Sequence, residues 1–332
     1  MLPEALPEED QKLVSGVLAR QARAIARTIT LIESTRPDHQ ERAQAVLEAL
    51  LPHTGNGIRV GISGVPGGGK STFIEALGLY LIGEGHRVAV LAVDPSSSVT
   101  GGSILGDKTR MERLCQEKDA YIRPSPSAGS LGGVADRTRE AMLVCEAAGF
   151  DVIIVETVGV GQSETAVAGM VDAFVLLQLP NAGDDLQAIK KGIVEMADLV
   201  VFNKTDLDPI AAQLAIQQMK GALSMLRAHS ARWQPPVLGL SALKGLGVKE
   251  FWAEIERFRQ VMGDTGELWK KRQHQSLAWM WTLIDMGLRT HFRQHPGVQG
   301  SLPEISRSVE QGSITPAAAA FRLLGMMNRF FQ

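Results

Sequence analysis

The sequence predicts an α/β fold: a mostly parallel sheet with helices on both faces, plus N-terminal helices and a C-terminal helical extension. Three observations carry this. Short apolar runs rich in β-branched residues alternate with helical patterns from Ile58 to Leu240. A glycine-rich loop joins the first of these runs to a helix. Apolar residues recur at helical spacing before Leu51 and after Asp264. Buried strands alternating with helices are the pattern of a parallel sheet covered on both sides.

Strands are expected at Ile58–Ser63, Val88–Val93, Val152–Val155, Phe174–Leu179, Leu199–Phe202 and Val237–Leu240. Before them, Val14, Val17, Leu18, Ile25, Ile29 and Ile32 keep a helical spacing that breaks at Arg36-Pro37. Asp38 then reads as the N-cap of a helix ending at Leu51, and Gly55-Asn56-Gly57 reads as a turn. After the strands, Leu277, Trp281, Ile284, Leu288 and Phe292 make one apolar stripe. Gly297–Gly300 separates that helix from a last pair near Pro303–Gln311 and Pro316–Arg329. The expected division is 1–54 (helical), 55–263 (α/β) and 264–332 (helical).

Hydrophobic residues make up 45% of the 332 residues and charged residues 21%, which predicts a packed core and argues against disorder. The formal net charge is −2, so there is no global basic field of the kind nucleic-acid binders carry. The longest apolar runs fall far short of the ~18 residues a membrane span needs. The first residues lack the basic start and apolar run of a secretion signal. Two cysteines, Cys115 and Cys145, stand in unrelated segments, which makes a disulfide framework improbable and a cytoplasmic setting the simplest expectation.

Gly64-Val65-Pro66-Gly67-Gly68-Gly69-Lys70-Ser71 matches the phosphate-loop pattern G-x-x-x-x-G-K-[ST], after a strand and before a helix. Glycines let backbone N–H groups turn inward onto phosphate oxygens, and the following helix adds its positive end. Lys70 is expected to reach the β- and γ-phosphates, Ser71 to ligate Mg²⁺ and Thr72 to meet the α-phosphate. The alternative is a glycine-rich turn without a ligand. The expected sheet is therefore that of a P-loop NTPase.

The base is read elsewhere. Asn203-Lys204-Thr205-Asp206 follows a strand and precedes a helix. A carboxylate such as Asp206 accepts two hydrogen bonds from guanine N1–H and N2–H₂, and adenine has no such donor pair. Lys204 can lie over the base, and Asn203 can tie this loop to the phosphate loop. Ser241-Ala242-Leu243 follows a later strand and resembles the loop whose backbone N–H contacts guanine O6. The plain alternative is a polar helix start capped by Asp206.

Glu156-Thr157-Val158-Gly159 resembles the D-x-x-G element of GTPases with Glu in place of Asp. Glu156 can hold Mg²⁺ and the Gly159 N–H can sense the γ-phosphate. Asp94, at a strand end, and Asp107, in Asp107-Lys108-Thr109-Arg110, are further expected metal ligands, with Lys108 or Arg110 facing phosphate charge; both carboxylates also read as plain surface charges. Lys70, Asp94, Asp107, Glu156 and Gly159 form the expected catalytic set. Val160 stands where small signalling GTPases carry a water-orienting Gln, so slow intrinsic hydrolysis and acceleration by a partner are expected. Gly129–Gly133 either touches nucleotide or forms a turn.

With these elements in hand, the sequence resembles the methylmalonyl-CoA mutase-associated GTPases of the MeaB/ArgK type. The resemblance rests on Gly64–Thr72, Asp94–Ser97, Thr100–Arg110, Glu156–Glu164, Asn203–Asp206 and, most specifically, Pro180–Lys190. It implies a GTP-hydrolysing switch that binds adenosylcobalamin-dependent methylmalonyl-CoA mutase, gates cofactor loading, and protects or reactivates that enzyme. It also implies a homodimer joined through the C-terminal extension, with Mg²⁺ held at Ser71, Asp94, Asp107 and Glu156. Pro180–Lys190 would relay nucleotide state to the mutase, with Asn181, Gly183, Asp184, Asp185 and Lys190 as its working residues. Gly68 departs from relatives, which often carry a larger residue there. Neither a nucleic acid nor a membrane is an expected partner.

Two rivals stand beside this reading. An ATP-using kinase or transport ATPase is opposed by Asn203–Asp206. A nickel-type metallochaperone GTPase lacks its usual Cys- or His-rich tract, since the seven histidines are scattered. His291 and His295 stand four apart, but His295 adjoins Pro296, where a helix should end.

Overall fold

The computed structural model describes residues 6–93, 111–123, 133–157, 163–180, 191–225 and 232–327. Asp94, Asp107, Lys108, Arg110, Gly159, Val160 and the expected switch residues Asn181, Gly183, Asp184, Asp185 and Lys190 lie outside them, as do residues 129–132. The chain divides into two compact units, Met1–Trp269 and Lys270–Gln332.

The first unit is built on a seven-stranded sheet: β1 (Ile58–Gly64), β2 (Val88–Val93), β3 (Ala120–Arg123), β4 (Val152–Thr157), β5 (Ala173–Gln178), β6 (Leu199–Phe202) and β7 (Val237–Gly239). Their spatial order is β3-β2-β4-β1-β5-β6-β7, and every pairing is parallel. Sequence reasoning missed β3. It is an edge strand of four half-buried residues, too short for an alternation to stand out.

Three helices open the unit: α1 (Glu8–Leu18), α2 (Ala22–Glu33) and α3 (Pro37–Leu50). The apolar spacing expected as one helix breaks at Arg20, whose φ of 57° turns the chain. Gly16 lets α1 and α2 cross closely, because a Cβ there would sit 2.6 Å from the Ala24 Cβ. Asp38 is not the cap of α3. Pro37 occupies the first turn, Arg36 is the capping position, and the Asp38 carboxylate pairs with Arg36 at 2.7 Å.

These helices pack with α5 (Gly133–Ala147), α6 (Ser163–Ala168) and α7 (Lys191–Met196) on one face of the sheet, around residues such as Ile29, Val46, Val144, Ile153 and Phe174. The other face carries α4 (Lys70–Gly83) and α9 (Val248–Asp264), around Phe73, Leu77, Ile154, Phe251 and Phe258. α8 (Pro209–Met225) packs beside β7. Phe73, three residues after Lys70, sets its ring edge-on to Phe251 at 4.9 Å. That contact seats the start of α4, and with it the phosphate loop.

α10 (Glu267–Gln294) begins at the end of the first unit and has no buried residue. In the second unit Leu277, Trp281 and Leu288 are well exposed on it. α11 (Pro296–Glu310) and α12 (Pro316–Gly325) pack on each other, with Val298, Ala319 and Leu323 buried. Gly297–Gly300 is not a break. It forms the first turn of α11, started by Pro296, and the helix runs on through Pro303. Among the described residues, no helix is long and apolar enough to cross a membrane.

At Gly61 the sheet and α6 approach closely: a Cβ would stand 2.7 Å from Val167 Cγ1 of the helix and 2.9 Å from Val171 Cγ2 just beyond it. Gly61→Ala should destabilise the first unit by about 1–3 kcal/mol through overpacking. Urea unfolding measures it, and a change within ±0.5 kcal/mol would show that the helix yields instead.

Candidate functional site

At the carboxyl edge of the sheet, β1 leads into a turn whose backbone needs its glycines. A Cβ on Gly64 would lie 2.1 Å from the Leu177 carbonyl oxygen of the neighbouring strand, so no larger residue fits. Gly67 (φ 75°) and Gly69 (φ 84°) are left-handed, and Gly69 caps α4. Gly68 is different: its added Cβ would meet Val65 O at 3.0 Å, a tight contact with no left-handed backbone to add strain. A larger residue there needs only small adjustment.

Lys70 is buried at the first position of α4. Its ammonium donates to the carbonyl oxygens of Gly64 at 2.9 Å and Val65 at 3.2 Å, so the cation arches over the loop. Ser71 follows, and its hydroxyl donates to Glu156 Oε1 at 3.1 Å. Glu156 is buried near the end of β4, in register with Ile62 of β1. Parallel pairing therefore sets this carboxylate beside the phosphate loop.

Asn203 follows β6 and is 2% exposed. Its Nδ2 donates to Gly68 O at 2.9 Å, while its Oδ1 accepts from the backbone N–H of Lys204 at 2.8 Å and of Ala242 at 3.0 Å. One buried amide thus joins three loops. Gly69 is indispensable to this, since a Cβ there would lie 2.6 Å from Asn203 Nδ2. Lys204 adopts a left-handed φ of 60°, uncommon for a non-glycine residue, and donates from Nζ to Gly67 O at 3.0 Å. Thr205 is pinned by its hydroxyl to Leu240 O at 3.0 Å.

Asp206 is held by the Ser241 hydroxyl and by the Lys244 ammonium, 3.1 Å from Oδ2. Those partners hold its carboxyl below the usual carboxylate range, so it stays ionised at neutral pH. Ser241 and Ala242 are buried, Leu243 is exposed, and a bridge between Ser241 and Leu246 closes the loop. Lys244 escaped sequence reasoning. Its position after Ser241-Ala242-Leu243 was the available signal, but only the fold brings it onto Asp206.

The structure thus brings Gly64–Thr72, Glu156, Asn203–Asp206 and Ser241–Leu243 to one edge. The oxygen donors of Ser71 and Glu156 suit a hard divalent cation. Among the described residues no group of three His, Cys, Asp or Glu side chains stands ready for a metal. His291 and His295 form no such group.

A phosphate loop between the central β1 and α4 of a parallel sheet defines a P-loop NTPase. A solved structure described as an LAO/AO transport system kinase shares the fold, with a TM-score of 0.78 at 37% identity over 98% of this chain and 100% of that one. The family model described as methylmalonyl-CoA mutase-associated GTPase MeaB matches residues 25–296, and the chain belongs to that family. Among its relatives are a probable GTPase of Mycobacterium tuberculosis, 53% identical over 317 residues (95% of this chain, 94% of the relative). The GTPase ArgK of Escherichia coli is 52% identical over 282 residues, 84% of each chain. The mouse mitochondrial methylmalonic aciduria type A homolog is 47% identical over 336 residues, 97% of this chain and 81% of the relative.

Asn203→Ala removes three hydrogen bonds from a buried junction. It should lower unfolding stability by about 2–4 kcal/mol, at roughly 1 kcal/mol per bond plus the desolvation of groups left unpaired. Chemical denaturation measures it. A loss below 0.5 kcal/mol would mean the three loops hold their places without the amide.

Proposed function

We propose that this protein is a GTP-binding and GTP-hydrolysing switch that chaperones adenosylcobalamin-dependent methylmalonyl-CoA mutase, governing cofactor loading, protection and reactivation. The observation that carries the nucleotide part is the Asn203 junction. It ties the phosphate loop, through Gly68 O, to the Asp206 loop and to Ala242, so both ends of one nucleotide would meet one rigid frame. The mutase part rests on the family description and on the mouse relative's name.

In this reading the backbone N–H groups of Gly64–Gly69, the Lys70 ammonium and Thr72 bind the triphosphate. Lys70 offsets the charge that builds as the bond between the β- and γ-phosphates breaks. Ser71 and Glu156, with Asp94 and Asp107, would hold Mg²⁺, which when bound neutralises phosphate charge. Gly159 senses the γ-phosphate. Asp206 accepts from guanine N1–H and N2–H₂, Lys204 covers the base, and the buried Ser241-Ala242 backbone with Leu243 borders guanine O6. Adenine offers Asp206 no such donor pair, so the carboxylate would lose only its contacts to the base, which argues against an ATP-using kinase. Asn181, Gly183, Asp184, Asp185 and Lys190 relay nucleotide state to the mutase. The extension 264–332 serves as the homodimer interface, supported by the exposed Leu277, Trp281 and Leu288. The domain division at 54 and 263 follows the same reading.

Asp206→Asn tests the base site. The amide donates where the carboxylate accepts, so GTP affinity should fall at least ~100-fold while xanthosine triphosphate, with a carbonyl at C2, gains. Unchanged GTP binding by the variant would remove Asp206 from the base site. Because Asp206 is held ionised, the unaltered protein's preference for GTP over ATP, in which the shared triphosphate cancels, should stay flat from about pH 8 to 5 and fall only below the carboxylate range.

The switch itself is tested with immobilised methylmalonyl-CoA mutase. Capture should differ by at least ~5-fold between GDP and a non-hydrolysable GTP analogue, because a ligand shifts a partner equilibrium only through differential affinity. Equal capture in both states would leave nucleotide binding intact and remove the switch.

A further inference from the structure

Beneath α6 lies a layer of buried polar side chains that the nucleotide site does not use. α6 runs back over β1, with Val167 against Gly61. Glu164 stands one helical turn earlier, about 5 Å nearer the carboxyl edge. Ser63, two residues after Gly61, shares its face and lies toward that same edge. Ser63 and Thr157 are fully buried and satisfy each other, the Thr157 hydroxyl donating to Ser63 Oγ at 2.9 Å. Gln178 closes β5 on that same face, two residues after Leu176 of the core beneath α6.

Among the described residues, two buried acceptors find no hydrogen-bond partner: Glu164 Oε2 and Gln178 Oε1, on side chains only 7% and 2% exposed. Buried polar atoms are nearly always paired, and an orphaned carboxylate oxygen is the costlier kind. Both positions flank the segments assigned above to the nucleotide response. Glu164 follows Glu156–Gly159 in the chain, and Gln178 precedes Asn181–Lys190.

We infer that Glu164 and Gln178 are positioning residues of the nucleotide response, forming one acceptor socket beneath α6. The socket is unsatisfied in the arrangement described here and takes a hydrogen-bond donor in the GTP-bound arrangement. The inference deepens the switch reading and rests on it. Its physical content is linkage: a penalty present in one arrangement and absent in the other adds to the preference of GTP for the second. The socket touches no phosphate, so it acts by setting the equilibrium between arrangements.

The test uses Glu164→Met and Gln178→Met, which keep side-chain length and remove the acceptors, together with the double variant. Calorimetric affinities are measured for GDP and a non-hydrolysable GTP analogue with magnesium, and melting temperatures without nucleotide. Glu164→Met should raise the melting temperature by about 2–4 °C or more, because it relieves the buried orphan. It should weaken the GTP analogue about tenfold and leave GDP unchanged. The double variant should go little further than Glu164→Met alone, since the two oxygens share one donor.

Equal changes for both nucleotides, or fully additive effects, would overturn the inference. Glu164→Gln, which keeps shape and one acceptor, guards against misfolding. It should give a smaller shift in the same direction, and no shift at all in a folded Glu164→Gln protein would also count against the socket. Failure of the unaltered protein to bind GTP would sink the switch reading and take this inference with it. Normal GTP binding with an unmoved affinity ratio would sink this inference alone.

Discussion

The site depends on the buried amide of Asn203. An amide with both ends engaged can sit in only one orientation, so the distance between the phosphate loop and the Asp206 loop is fixed by one side chain. The rest of the carboxyl edge conforms to it. Gly69 has no Cβ because Asn203 Nδ2 occupies that space. Lys204 accepts a left-handed backbone as the chain leaves the junction, and its ammonium reaches across to Gly67. Ala242 brings the third loop to the same amide, and Ser241 and Lys244 then steady the carboxylate that would read the base.

Parallel topology delivers these pieces. β1, β5 and β6 are adjacent, so the loops leaving β1 and β6 come out at one edge with a single strand between them. β4 flanks β1 on the other side and carries Glu156 to Ser71. Hydrophobic helices on both faces hold this arrangement rigid, with Phe73 against Phe251 anchoring α4 behind the phosphate loop. The phosphate-loop backbone, Glu156 and Asp206 are thereby held in place, which in the proposed reading lowers the ordering cost that a nucleotide must overcome.

Much of this was legible in the sequence because the informative residues are local. A phosphate loop is contiguous, as is Asn203–Asp206, and each lies between a strand and a helix whose apolar patterns are strong. Six strands were readable for the same reason. What escaped was nonlocal or weakly patterned. β3 has four half-buried residues and little alternation. Lys244 meets Asp206 only once β6 and β7 pair. Glu164 and Gln178 share a face only after α6 folds back over β1. Asp38 looked like a cap by residue type, but Pro37 beside it had already set the helix start. Gly297–Gly300 looked like a break by composition, although Pro296 starts a helix that carries those glycines within it.

The central claim is that one rigid frame serves a phosphate cradle and a purine-reading carboxylate at once. Titration calorimetry of the unaltered protein with GTP and with ATP, magnesium present, tests this most directly. The account predicts tight 1:1 binding of GTP and at least ~100-fold weaker binding of ATP, because adenine has no N1–H and N2–H₂ donor pair to offer Asp206. Equal affinity for the two triphosphates would contradict it.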